Sequence, residues 1–277
     1  MRINRRRISF LALALIALAA SSSKADVFDD PTYAPEFELS NVLSSTAMTV
    51  AFDGTHYWAS RGGTAGINLA QYDVAGNHLA SFGGPDIRSV FSDEAGNVYV
   101  RNFNNPTIML QDSPGSLVPF VTLAASTTPL NSQARVVLSG DGSRFVSMNN
   151  GVVQEWDLSG SFIGETSLTG WGSVAGETAA ISNLAVAAYD DYWFTLANDQ
   201  LSAWDSLGNR VDQTTLTGFT QNSDARFSFS FANGHVFIND NASIKAFQVV
   251  SASAVPEPAA AGVLALLGAA LGFRRRR

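Results

Sequence analysis

Short runs of aromatic, β-branched and small apolar residues recur along the chain, each cut off by a turn rich in Asp, Asn and Gly. Side chains of that kind suit a pleated, half-buried surface, and the turn residues supply the sharp reversals, so the pattern predicts strands and little helix. Five hairpins can be read. Val50-Ala51-Phe52 turns at Asp53-Gly54 into His56-Tyr57-Trp58-Ala59, and Ser89-Val90-Phe91 turns near Glu94-Ala95-Gly96 into Val98-Tyr99-Val100. Val136-Val137-Leu138 turns at Asp141-Gly142 into Arg144-Phe145-Val146, and Ala185-Val186-Ala187 turns at Asp190-Asp191 into Tyr192-Trp193-Phe194. The fifth, Phe227-Ser228-Phe229, turns at Asn233-Gly234 into His235-Val236-Phe237 and continues into residues 244–249.

Four of these hairpins are followed by a second turn with the pattern Asp-x-x-Gly, at Asp73, Asp112, Asp157 and Asp205. An Asp that hydrogen-bonds the backbone ahead of it, closed by a Gly free to take positive φ, is the chemistry of a tight loop between strands. A further strand follows each one, at residues 79–82, 118–121, 162–165 and 210–213. The repeating unit is therefore four strands in about 45 residues, the period of a propeller blade. Five such units need about 225 residues, which residues 26–254 accommodate. The fifth copy runs out before its outer strand, and Phe37-Glu38-Leu39-Ser40 has the size to supply it. The predicted fold is all-β, a five-bladed propeller closed by an N-terminal strand, with a β-sandwich as the alternative arrangement of the same strands.

Both ends depart from this pattern. Arg2, Arg5, Arg6 and Arg7 precede an apolar run over residues 8–20, and Ser23-Lys24-Ala25 places small residues before Asp26. This reads as an export signal over residues 1–25, cut between Ala25 and Asp26. Residues 255–277 hold Pro256-Glu257-Pro258, an apolar run over 259–273, and then Arg274, Arg275, Arg276 and Arg277. Physically this is a short apolar helical anchor stopped by cytoplasmic arginines, with the body on the far side of the membrane.

The order of triplet, apolar run and basic cluster resembles the PEP-CTERM sorting signal of exported proteins of Gram-negative bacteria. The resemblance implies handling by the export machinery and then by exosortase, a membrane protease. Pro256, Glu257 and Pro258 would be recognised and Arg274 to Arg277 would act as the stop. It also implies transient residence in the inner membrane, then the cell surface or exterior, among proteins associated with extracellular polysaccharide. The body units resemble NHL-type repeats at Asp93-Glu94-Ala95-Gly96-Asn97-Val98-Tyr99-Val100 and Gln71-Tyr72-Asp73-Val74-Ala75-Gly76-Asn77-His78. Trp156-Asp157 and Trp204-Asp205 are similar to the dipeptide of WD repeats, without its usual Gly-His partner.

Composition sharpens what chemistry to look for. The chain of 277 residues has no cysteine, which excludes disulfides, thiolate metal sites and cysteine nucleophiles. Between the two end signals only eight basic residues remain (Arg61, Arg88, Arg101, Arg135, Arg144, Arg210, Arg226 and Lys245), against all but one of the 24 acidic ones. So acidic a body repels phosphate backbones, and no nucleic-acid partner is expected. In a closed ring His56 and His235 would occupy equivalent places in neighbouring blades, where they could pair on a metal or simply be solvated. Asp29-Asp30, Asp93-Glu94 and Asp190-Asp191 offer oxygens of the kind calcium prefers, but not in a regular loop spacing. No cofactor is expected beyond that calcium alternative, and no catalytic residue can be named. Of the five tryptophans, four sit in strands and read as packing. Trp171, flanked by Gly170 and Gly172 between blades, is the candidate ligand contact. The function expected is non-catalytic binding at the cell surface or in a matrix, with polysaccharide the candidate ligand. The alternative is an extracellular propeller hydrolase or lactonase.

Overall fold

In the computed structural model, residues 26–40, 42–63, 66–179, 183–220, 229–240 and 243–250 are described. The end segments read as export and sorting signals lie outside these residues. Within the described residues twenty-one strands run in chain order, starting with β1 (Thr32–Tyr33) and β2 (Phe37–Ser40). Blade 1 comprises β3 (Ala47–Phe52), β4 (Tyr57–Arg61), β5 (Leu69–Tyr72) and β6 (His78–Phe82). Blade 2 comprises β7 (Ile87–Ser92), β8 (Val98–Asn102), β9 (Thr107–Ser113) and β10 (Ser116–Thr122). Blade 3 comprises β11 (Val136–Leu138), β12 (Arg144–Asn149), β13 (Val152–Asp157) and β14 (Phe162–Ser167). Blade 4 comprises β15 (Ala187–Tyr189), β16 (Tyr192–Ala197), β17 (Gln200–Trp204) and β18 (Arg210–Leu216). Blade 5 has β19 (Phe229–Ala232), β20 (His235–Asn239) and β21 (Ser243–Gln248).

Each blade is an antiparallel sheet in sequence order, and the innermost strands of all five face one channel. This is a five-bladed β-propeller. Blade 5 takes its outer strand from the other end of the chain, β2 pairing antiparallel with β21 in the register Phe37↔Ala246 to Ser40↔Ser243. Leu39, fully buried on that strand, packs with Leu43, Tyr57, Tyr72 and Phe237 across the junction of blades 5 and 1.

The packing follows from the layering. Each blade's two inner strands are covered on both faces by neighbouring blades, so Ala47 to Ala51 and Tyr57 to Ser60 are continuously buried instead of alternating. The outer strands are largely exposed, as in β10. The core is therefore a series of clusters wedged between adjacent blades. Trp58, Trp156, Trp193 and Trp204 all lie in these wedges, and three of their indole N–H groups donate to Asp53, Ala124 O and Thr195.

The Asp-x-x-Gly turns have a second purpose that local turn chemistry does not show. Asp73, Asp157 and Asp205 each accept backbone N–H groups two and four residues ahead. The glycine that ends each turn lies against the outer strand of the preceding blade. A Cβ on Gly76, Gly160 or Gly208 would overlap the carbonyl oxygen of Glu38, Thr122 or Ser167. In return Ser40, Ala124 and Thr169 donate their N–H groups to the carbonyls of Gly76, Gly160 and Gly208. Each turn is thus a clasp between consecutive blades. Asp112 differs: it stays within β9, and the reversal occurs at Pro114-Gly115, with Ser113 paired to Ser116. Proline presets the first corner of that turn and glycine the second, so Asp112 has no loop to cap.

One feature of the sheet order was not expected from the sequence. β1 adds to blade 4 as a fifth strand, parallel to β18, with Thr32↔Thr215 and Tyr33↔Leu216. Phe28 is buried against Phe194, with 5.3 Å between ring centroids, and its N–H donates to Asp212. The Tyr33 hydroxyl donates to Val249 O of blade 5. Residues 28–40 therefore strap the outer edges of two blades in succession.

Candidate functional site

The central channel differs at its two ends because of what the innermost strands carry. Where those strands begin, Met48, Ala134 and Leu184 of blades 1, 3 and 4 pack on one another. Close to them sit three largely buried arginines. Arg135, fully buried, reaches across to donate to Phe229 O of blade 5. Arg101 donates to the carbonyls of Asn105, Asn131, Ser132 and Ala134, fixing the loop that enters blade 3. Arg88 pairs with Asp86 at 2.6 Å and lies over the Phe103 ring at 4.8 Å. Burial, with repulsion from Arg88 second, brings Arg101 down to about 10 and lowers Arg135 strongly.

Midway along the channel, hydroxyls link the blades. Val50 N–H donates to Ser230, Val90 N–H to Thr49 and Val136 N–H to Ser89. These contacts satisfy inner-edge amides that no fifth strand can reach. Arg135 directly precedes Val136 as Thr49 precedes Val50 and Ser89 precedes Val90, so the arginine occupies the hydroxyl position in blade 3.

At the other end, where the innermost strands enter their hairpin turns, the channel opens into a cavity of about 230 Å³. All five blades contribute to its wall. Phe52, Phe91, Tyr189 and Phe231 supply the rings, and Ser92, Ser139 and Asn233 supply polar groups. Asp93 and Glu94 supply carboxylates. The rings are held by the wedges behind them: Phe52 by Tyr57 at 4.8 Å, Phe91 by Tyr99 at 5.6 Å, and Tyr189 by Phe231 at 5.0 Å between centroids. Ser92 donates to Phe52 O, and Asn233 donates to the Tyr57 hydroxyl.

The turn carboxylates are held in place by hydrogen bonds, and two of them, Asp53 and Asp141, are kept ionised. Burial alone would push Asp53 up, but donation from the Trp58 indole and the His56 and Thr55 amides leaves it below the usual carboxylate range. Asp141 behaves the same way, with Ser139, Ser143 and Arg144 overcoming its burial. Asp93 accepts from the Asn97 amide and side chain and from the Tyr99 hydroxyl. Tyr99 itself is pushed up to about 12 by burial and by that carboxylate.

The candidates read from the sequence fall elsewhere. Trp171 is half-buried, where an exposed contact was expected. Its ring leans on Trp204 at 6.1 Å between centroids and covers Gly151, and Arg210 lies over the other tryptophan at 4.4 Å. The loop that carries it is pinned by Glu177, whose carboxylate accepts from Gly172 N–H and Val174 N–H and pairs with Arg210. Flanking glycines had suggested openness, but here they let the chain fold back tightly. His235 is bound within blade 5, its ring nitrogens 2.7 Å from Asn233 O and 2.8 Å from Glu36, while His56 lies 3.7 Å from Asp53. Among the described residues no three His, Asp or Glu side chains gather as a metal would require. Ala25, Pro256, Glu257, Pro258 and Arg274 to Arg277 lie outside the described residues, and Asp26 is exposed at their edge. Among the described residues, no helix is long and apolar enough to cross a membrane.

The cavity's aromatic residues were not singled out from the sequence. The signal was nevertheless there: Phe52, Phe91, Tyr189 and Phe231 each sit one or two residues before an Asp or Asn hairpin turn. Only the ring brings them to a single wall.

No protein-family model matches the chain, and no curated protein sequence matches it. Solved structures do. A glutaminyl cyclase of Myxococcus xanthus superposes with a TM-score of 0.54 at 11% identity, over 80% of this chain and 100% of that one. A streptogramin B lyase gives 0.44 at 10% identity, over 77% and 87% of the two chains. A protein of unknown function from Bacteroides caccae gives 0.43 at 14% identity, over 70% of each. The first likeness shows the fold and, at that identity, nothing of the activity.

Proposed function

We propose that this is an exported binding protein whose recognition site is the turn-side cavity of the propeller channel. The observation that carries the reading is the cavity itself, a concave site of about 230 Å³ walled by the ends of the innermost strands of all five blades. Its wall combines rigid aromatic rings with a few polar groups, the combination that gives a pocket both contact area and orientation. The Asp93 carboxylate is held in place by the Asn97 amide and side chain and the Tyr99 hydroxyl, which positions it for binding. Export and sorting by exosortase rest on the sequence of the two ends, and polysaccharide at the cell surface remains the environment proposed for the mature protein.

The test is to fill the cavity. Ala188 lines the wall where it packs on the wedge between blades 3 and 4, and Ala188→Phe would crowd that side of the space. A small-molecule panel screened by thermal shift should yield ligands that stabilise the parent in proportion to RT ln(1 + [L]/Kd). They should not stabilise the variant, whose own melting stays cooperative. Ligands that stabilise both proteins equally would place the site elsewhere. Turnover of a panel member by the parent but not the variant would replace binding with the hydrolase or lactonase alternative.

A further inference from the structure

We infer that the ligand of the turn-side cavity is a small organic cation, an inference that rests on that cavity being the binding site. Phe52, Phe91, Tyr189 and Phe231 are among the residues that line it, and among the described residues the charged ones on its wall are Asp93 and Glu94. The face of an aromatic ring is the negative end of its quadrupole and attracts a cation within about 6 Å. Carboxylates at the rim add a long-range field of the same sign. The hairpin turns of the other blades extend that field with Asp53 and Asp141, both kept ionised by their hydrogen bonds. Anions are repelled by this arrangement. A neutral ligand would gain the ring contacts but none of the charge attraction.

The opposite end of the channel reinforces the polarity. Arg88, Arg101 and Arg135 cluster there, so potential falls along the axis toward the open cavity and a cation is drawn to the turn side. The size of the space narrows the class. The cavity of about 230 Å³ lies below the usual range of ligand pockets, so its occupant is small. A trimethylammonium alcohol or a short diamine meets both demands.

Calorimetry on the purified protein with three probes of one shape tests this: choline, its neutral carbon isostere 3,3-dimethylbutan-1-ol, and the anion 3,3-dimethylbutanoate. Choline should bind at least tenfold more tightly than the isostere, and the anion should not bind. Raising sodium chloride from 20 mM to 500 mM, roughly from a 20 Å to a 4 Å screening length, should weaken choline several-fold and leave the isostere unchanged. Phe231→Leu should lose most of the choline affinity. Glu94→Gln, on an exposed turn where folding is not at stake, should lose severalfold. Equal or tighter binding of the isostere or the anion, abolished by Ala188→Phe, would overturn the cationic class while leaving the cavity as the site. Failure of all three probes to bind would overturn both.

Discussion

The clasp between blades can be isolated by making one substitution at two glycines that differ in a single respect. Gly76 and Gly142 both hold positive φ, +84° and +67°. Alanine at either position meets the left-handed penalty of about 1–2 kcal/mol. Around Gly142 a new Cβ finds nothing within 4 Å, whereas at Gly76 it would overlap the Glu38 carbonyl on the closing strand. Relieving that overlap means moving β2 or the turn, with an added cost of the size seen on overpacking, about 1–3 kcal/mol. For a domain of this length each kcal/mol shifts Tm by about 2–4 °C. Gly142→Ala should therefore lower Tm by about 2–8 °C, and Gly76→Ala by about 2–12 °C more. Scanning calorimetry of both variants beside the parent reads the difference directly. Equal losses at the two positions would refute the close approach as the reason for the repeated glycine, leaving only local turn conformation.

Further expectations concern the loop, the charges and the ends. Glu177→Ala removes the buried acceptor of two loop amides and of Arg210, which is 21% exposed. It should cost about 3 kcal/mol in urea unfolding, at the lower end for breaking a buried pair, and should alter Trp171 emission. Asp53 and Asp141 have folded pKa values below their unfolded ones, so the stability they contribute is present above the unfolded carboxylate pKa and is lost as pH falls through the folded value. The urea midpoint should therefore drop below about pH 4, with a shallower acid limb in Asp53→Asn. At the sorting segment, combined Pro256→Ala, Glu257→Ala and Pro258→Ala should change the mass or location of the mature protein, and identical processing would remove the exosortase reading.

Much of the ring was legible because each blade writes itself locally. Aromatic and β-branched runs with Asp or Gly turns between them mark strands, their period marks blades, and the missing last strand pointed to Phe37-Glu38-Leu39-Ser40. Asp112 misled because a local motif was read in isolation. Pro114-Gly115 makes the better turn two residues later, and paired backbone carries the strand through the aspartate. The packing of Trp171 on Trp204 was illegible for a related reason, since its glycine neighbours speak of backbone freedom and not of what the ring will touch.

The sequence by itself determined the strands, the turns and the number of repeats, because those depend on residues within a few positions of one another. Only the tertiary structure decided that β1 would lie parallel to β18, that the turn glycines would meet the neighbouring blade, and that Arg88, Arg101 and Arg135 would gather at one end of a channel. Those outcomes join residues as distant as Arg135 and Phe229, and they depend on the angle at which successive blades stack, which no local pattern encodes. The cavity belongs to the same category: Phe52, Phe91, Tyr189 and Phe231 share a wall because closing the ring leaves their inner-strand positions nowhere else to meet.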